Sequence, residues 1–303
     1  MLTTSSIALT LKEATAAIAK RPAASAEAAT SNQSDARLDA EVLLAHVLKQ
    51  TRSWLYAHSD AVLEDDAQKQ FGKLLHDRIN GVPVAILTGC QEFWSLPLQV
   101  TADVLVPRPE TELLVEVSLE KTSSTPNPRI LELGTGSGAI AIALACERPD
   151  AEITATDLSA AALAVASSNA AKISKTQRRF STIRFLESDW FSALIDTSAG
   201  SSPQFDLIVS NPPYLANDDI HLQGDIRHEP LSALISGAKG LDSLTEIINT
   251  APDFLRAGGR LILEHGATQA DDLHEMLQRA NYTCIETCHD LAGLARVTTA
   301  LFE

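Results

Sequence analysis

The sequence predicts an α/β protein, a doubly wound and mostly parallel sheet preceded by an all-helical domain. Three observations carry this. Before residue 91 the apolar residues recur at helical spacing, from residue 129 onward short apolar runs alternate with helical periods, and the chain closes on two consecutive β-type segments. A length of 303 residues exceeds the commonest single-core size and agrees with more than one domain.

In order, the helical part predicts helices over 9–20, 37–49 and 67–80, the second with Leu38, Val42, Leu43 and Val47 on one face. Between the first two, residues 22–34 are rich in Ala and Ser and aperiodic, which reads as a flexible loop. Gly81-Val82-Pro83 is expected to end the helical region. A β-prone stretch follows at 93–100, where Pro97 suits a bend or an edge position. A helix over 111–120 and a Ser/Thr/Pro linker over 122–128 lead into the alternating region. There, runs 130–133, 152–156, 183–186, 206–209 and 260–263 have the length of buried strands. A helix over 270–280 then precedes segments 282–287 and 295–301, read as an antiparallel edge hairpin. The expected division is a helical domain over 1–90, a β-hairpin and linker over 91–128, and the α/β domain over 129–303.

Composition narrows the function. With 45% hydrophobic and 21% charged residues the chain is neither disordered, collagen-like nor a coiled coil. Its net charge of −15 repels phosphate backbones and anionic lipid, which argues against free nucleic acid and membranes as partners. Residues 1–90 hold nine basic and ten acidic groups, residues 91–303 fifteen and twenty-nine, so the acidity belongs to the second part. No apolar run approaches the roughly 18 residues of a membrane span, and no Lys or Arg precedes the first apolar run; a cytoplasmic location is expected. No feature marks an oligomer interface, so a monomer is expected. Cys284 and Cys288, followed by His289, come near zinc-ligand spacing but lack a second ligand pair, so they read as packing thiols and no metal is expected. His221, His228 and His265 likewise have no partners at ligand spacing and read as surface or packing residues.

The chemistry gathers at the ends of the predicted strands. After the first comes Gly134-Thr135-Gly136-Ser137-Gly138, opening a helix; glycines allow a tight turn and close approach of a ligand to backbone N–H groups. The second strand ends at Asp157, where a carboxylate can accept from both hydroxyls of a ribose. This suits an adenosine-containing methyl donor or NAD equally. Asp189 and Trp190 follow the third strand and could bind and cover an adenine ring, or serve as helix cap and core aromatic. After the fourth strand runs Asn211-Pro212-Pro213-Tyr214. Two prolines fix the backbone and remove two donors, leaving carbonyls that converge with the Asn211 side chain as acceptors for a planar NH2 group, while Tyr214 offers a face for it.

In this order the glycine loop, Asp157 and Asn-Pro-Pro-Tyr resemble the S-adenosylmethionine-dependent methyltransferases that act on amino groups. Nearly the whole chain is similar to the family of bacterial peptide chain release factor glutamine methyltransferases. Its further markers are Arg37-Leu-Asp-Ala-Glu-Val-Leu-Leu44, Glu92-Phe-Trp94, Pro107-Arg-Pro-Glu-Thr-Glu112 and Gln223-Gly-Asp-Ile-Arg227-His-Glu-Pro-Leu231. The region near Pro22 and residues 175–182 look like insertions. The resemblance implies a Rossmann-like seven-stranded methyltransferase sheet, with S-adenosylmethionine held by Gly134, Thr135, Gly136, Ser137, Gly138, Asp157, Asp189, Trp190 and Asn211. It implies a substrate glutamine in the Gly-Gly-Gln loop of release factors, held by Asn211, Pro212, Pro213 and Tyr214, of which Asn211, Pro212 and Tyr214 would be catalytic. It also suggests that Arg108, Glu110, Thr111 and Glu112, otherwise a helix start, border the donor pocket. Two rivals remain at this stage. A DNA adenine or cytosine amino-methyltransferase would use the same acceptors but calls for a basic groove. A nicotinamide oxidoreductase or non-catalytic nucleotide-binding protein would leave Asn-Pro-Pro-Tyr unexplained.

Overall fold

The computed structural model describes residues 5–21, 32–195 and 203–303, with the backbone alone at 32–34 and 223. The chain forms two compact units. One comprises the residues up to Cys90 together with Asp219–His228; the other comprises Gln91–Asp218 and Glu229–Glu303.

The first unit is helical: α1 (Ile7–Ala19), α2 (Asn32–Leu48), α3 (Arg52–Ala57), α4 (Asp65–Ile79) and α5 (Val84–Thr88). Ser6 caps α1 by accepting from the Leu9 N–H, and Ile7, Leu11, Ala14 and Ile18 form its buried stripe. On α2 the buried apolar positions are Ala36, Ala40, Leu43, Leu44 and Ala45, whereas Leu38 is exposed. The expected stripe is thus displaced, because small alanines that let helices approach closely escape a reading based on large apolar residues. The helical region also runs past Pro83. Proline at the start of α5 fixes the entry dihedral, and Gly89, left-handed at φ 70°, ends the helix. Of the expected loop over 22–34, residues 22–31 lie outside the described residues, and 32–34 are already helical. The segment Asp219–His228 is held by ion pairs from Asp225 to Arg21 and Arg78, and Arg78 also bonds Asp39 at 2.6 Å.

The second unit begins with a hairpin of β1 (Cys90–Phe93) and β2 (Leu96–Gln99). Its turn residues Trp94 and Ser95 are both left-handed, at φ 53° and 56°. Bonds from the Trp94 N–H to Glu112 (2.7 Å) and from its indole N–H to Glu147 (2.9 Å) hold this unusual tryptophan. A short 3-10 turn, Pro109–Thr111, leads into α6 (Glu112–Thr122). The following segment is pinned rather than loose: Arg148 donates to the carbonyls of Thr122 and Thr125 at 2.7 Å.

The main sheet contains β3 (Arg129–Leu133), β4 (Glu152–Asp157), β5 (Ile183–Glu187), β6 (Phe205–Ser210), β7 (Leu255–Glu264), β8 (Thr283–His289) and β9 (Ala295–Leu301), in the order β5-β4-β3-β6-β7-β9-β8. The first five pair in parallel, and β9 runs antiparallel between β7 and β8, so the expected edge hairpin is present. Period-two alternation divides the apolar residues between two cores. Ile130, Leu207, Val209 and Ile262 face α6 and α7 (Ala139–Glu147), with α8 (Ala160–Ile173) on the same side. Leu131, Leu133, Ile208, Leu261 and Leu263 face α9 (Asp242–Thr250) and α10 (Ala270–Arg279). Cys146 and Cys288 pack against the first core. Strand order reverses between β3 and β6, and the crevice beyond the carboxyl ends of those strands is where open α/β sheets bind ligands.

Candidate active site

The crevice at the switch point is a cavity of about 350 Å³, within the range of small-ligand sites. Its walls include Gly134 and Gly136 after β3, Asp157 and Leu158 after β4, Asp189 and Trp190 after β5, and Asn211 and Pro213 after β6. Val104, Leu105 and Pro230 complete apolar parts of the wall, and Asp103 adds a third carboxylate. None of the lining residues is Lys or Arg.

The glycine turn is built on left-handed backbone: φ is 72° at Gly134, 55° at Gly136 and 84° at Gly138. A Cβ on Gly136 would meet no neighbouring atom, so its bare backbone borders open space. Gly138 has another task. A Cβ there would crowd Ile142 and the backbone of Ala166, so its lack of a side chain lets α7 and α8 approach. Thr135 and Ser137 are buried, and neither they nor Gly138 line the cavity. Thr135 donates at 2.7 Å to Glu132, a carboxyl in the middle of β3 that also accepts from the Ala141 N–H. Burial raises Glu132 to about 8 against the donated bonds, so it is neutral at pH 7.

Asp157 is not a helix cap; that position belongs to Ser159, which accepts from the Ala162 N–H. The two Asp157 oxygens accept from the N–H groups of Gly136 (2.8 Å) and Ser159 (2.9 Å), which fixes the carboxylate and leaves each oxygen a second lone pair. A Cβ on Gly134 would come to 3.8 Å from the Trp190 ring, and Asp189 is exposed at the cavity.

At the other wall Asn211 donates through Nδ2 to Thr111 Oγ1 at 3.1 Å, while its Oδ1 is buried and meets no protein donor. Pro212 is buried and outside the cavity lining. Tyr214 is half-buried, its carbonyl held by the Gln269 side chain, and burial followed by the nearby Glu264 pushes its phenol up to about 12. Of residues 108–112, Thr111 is the one that reaches Asn211 on this wall. Arg108 pairs with the buried Glu229 and Glu112 holds the hairpin turn, and none of residues 108–112 lines the cavity. Glu229 also accepts from the Val106 N–H at 2.8 Å, so the Arg-His-Glu-Pro marker positions this segment. Sequence reading missed Glu132 and Glu264; the available signal was an acid inside or at the tip of an apolar strand. Among the described residues no group of His, Cys, Asp and Glu could hold a metal. His265 is buried between the Thr298 hydroxyl and the Gly266 carbonyl.

These residues fit a sulfonium donor. Open backbone at Gly136 admits a ligand, oriented carboxylate lone pairs suit a ribose, and three carboxylates without a cation favour positive charge over a dinucleotide's pyrophosphate. A seven-stranded sheet of this order with such a cavity at its switch point is that of an S-adenosylmethionine-dependent methyltransferase. Comparison with known proteins agrees. The family described as PrmC N-terminal domain matches residues 11–89, and that described as Methyltransferase small domain matches residues 109–288. The release factor glutamine methyltransferase of Salmonella typhimurium (strain LT2) is 46% identical over 88% of this chain and 92% of its own length. That of Burkholderia pseudomallei (strain K96243) is 44% identical over 91% and 95%. Among solved structures, the catalytic domain of hMettl16 in complex with the MAT2A 3'UTR hairpin 6 shares the fold, with a TM-score of 0.53 at 15% identity over 76% of this chain and 82% of that one. The chain belongs to the release factor glutamine methyltransferase family, and it is an S-adenosylmethionine-dependent protein-glutamine methyltransferase.

Proposed function

We propose that the chain methylates the side-chain amide nitrogen of the glutamine in the Gly-Gly-Gln loop of peptide chain release factors, and so modulates translation termination. The observation that carries this reading is Asn211, a residue of the cavity wall whose buried Oδ1 has no donor. Such an atom costs roughly 1–3 kcal/mol of unmet hydrogen bonding, which an arriving N–H recovers. In this reading Asn211 and the Pro212 carbonyl accept the two N–H bonds of the substrate amide, Pro213 keeps the loop rigid, and Tyr214 packs on the amide plane. The neutral phenol of Tyr214 suits an apolar stacking role.

Gly134, Gly136, Asp157, Asp189 and Trp190 hold the donor, with Asp157 on its ribose; Thr135, Ser137 and Gly138 shape the turn from behind. When bound, the donor supplies an electrophilic methyl on a sulfonium that departs as a neutral thioether. An amide nitrogen is a weak nucleophile because its lone pair is delocalised, so the protein's contribution is to fix it in line with the methyl and to aim acceptors at its growing positive charge. The N–CH3 bond forms as the S–CH3 bond breaks, and the surplus proton passes from nitrogen to solvent. Residues 1–90 serve as the substrate-recognition domain, the hairpin and linker over 91–128 approach the donor, and residues 129–303 carry out transfer. The same reading makes the protein a cytoplasmic monomer; no helix among the described residues is long and apolar enough to cross a membrane.

The test offers labelled donor with a release factor, the same factor with its loop glutamine replaced, and duplex DNA. Label is expected on the unaltered factor alone; label on DNA, or on both factors equally, would overturn the reading. Asn211→Ala is expected to lower kcat roughly 10²-fold with donor affinity intact, and a near-normal kcat would remove Asn211 from the chemistry.

A further inference from the structure

Glu264 is the last residue of β7, only 2% exposed, and period-two alternation puts it on the same face as Ile262, toward α6 and away from Leu263. Around it stand Thr111 from the approach segment, Asn211 and Tyr214 from the loop after β6, Glu110 beside Thr111, and Arg296 from β9. Thr111 and Asn211 lie beside its carboxyl, whose buried Oε2 has no hydrogen-bond partner, while Asn211 Nδ2 donates to Thr111 Oγ1 and Asn211 Oδ1 is left without a donor.

From this arrangement we propose that Glu264 and Thr111 are positioning residues that set which end of the Asn211 amide is offered to the substrate. The logic is that of a relay. A carboxylate can only accept, so an ionised Glu264 accepts a hydrogen bond from the Thr111 O–H; the Thr111 oxygen then has only lone pairs for Asn211 and must receive Nδ2–H. Asn211 is locked with Oδ1 as its free end, an acceptor for the N–H of the incoming amide. Protonated Glu264 reverses every step. It donates to Thr111, the hydroxyl proton is released toward Asn211, and the amide can turn to present NH2 against the substrate's own NH2.

Burial raises Glu264 to about 7; hydrogen bonding from Thr111, the Arg296 charge and hydrogen bonding from Asn211 oppose the rise, and Glu110 adds to it. The switch between the two arrangements thus falls near neutrality. This inference rests on the acceptor role proposed for Asn211.

The experiment measures kcat and KM for donor and release factor from about pH 5.5 to 9 in wild type, Thr111→Val, Thr111→Ser, Glu264→Gln and Asn211→Ala. Wild-type kcat is expected to rise with pH through a limb centred near 7. Thr111→Val should lower kcat roughly tenfold with the donor KM little changed, Thr111→Ser should restore most of it, and Glu264→Gln, which cannot titrate, should flatten the limb. A crippled Asn211→Ala beside a Thr111→Val enzyme of wild-type kcat, or a limb that persists in Glu264→Gln, overturns the positioning role and leaves the Asn211 reading standing. A normal Asn211→Ala overturns both.

Discussion

A proton on Glu132 couples the fold to pH. Its folded value of about 8 lies above the ordinary 4.5, so its favourable contribution is complete below about 4.5 and is lost as pH rises through about 8. Glu132→Gln keeps an acceptor for the Ala141 N–H and removes the titration. The variant should match wild type in urea unfolding near pH 5 and exceed it by about 2–4 kcal/mol near pH 9; equal midpoints at both values would show that Glu132 is ionised in the fold. Glu264 stays in both proteins, so its own narrower window cancels. At this scale the sequence exposed what lies at strand ends. Asp157, Asp189 and Asn211 were found because turn residues mark those ends, and all three line the cavity. Glu132 and Glu264 escaped, since an acid within an apolar run does not reveal whether burial leaves it a partner. A glycine loop read as a string has no inside; in the folded turn the Thr135 and Ser137 side chains are buried and do not line the cavity.

Helix α2 shows the same economy in an element whose polar residues matter as much as its apolar ones. Glu41 is 1% exposed and accepts from Arg37 (2.6 Å), Arg52 (2.8 Å) and the Tyr56 hydroxyl (2.7 Å), tying α2 to α3. Burial alone would raise its carboxyl, but the bonds from Arg37, Tyr56 and Arg52 outweigh it and hold the group below the ordinary range. Its stabilisation is therefore present above about pH 4.5 and lost as pH falls through the folded value. Glu41→Ala leaves three donors without their acceptor, two of them half-exposed arginines, and should cost about 1–3 kcal/mol in thermal or urea unfolding at pH 7. An unchanged midpoint would make the cluster incidental. Long elements were legible because three turns or five alternating residues establish a period. The six residues of α3 and the five of α5 are too few to do so. The first strand of the hairpin, Cys-Gln-Glu-Phe, has one buried residue and so no apolar pattern to read.

Across the whole molecule, residues 91–303 carry the excess of acidic groups, and three carboxylates line the cavity itself. A release factor presenting a basic surface would be steered by this field, and steering acts on the encounter. Raising salt from about 50 to 300 mM should lower kcat/KM for the release factor several-fold while saturated kcat holds, because the Debye length shrinks toward contact distances. A flat kcat/KM would show that long-range charge does not guide docking. Charge was fully legible in the sequence, as was the alternation of strands and helices in the sheet unit. The membership of Asp219–His228 in the helical unit was not, since nothing in its composition names Arg21 and Arg78 as the partners of Asp225.

That membership bears on inheritance. The polypeptide leaves the sheet unit shortly after Tyr214, contributes ten residues to the helical unit, and returns to complete the sheet. A gene fusion cut at Cys90 would therefore transplant Arg21 and Arg78 without their carboxylate and strand Asp225 in a host that cannot match it. The helical unit and the sheet unit cannot be exchanged as separate cassettes; a change in the one has to be matched in both stretches of the gene that build it.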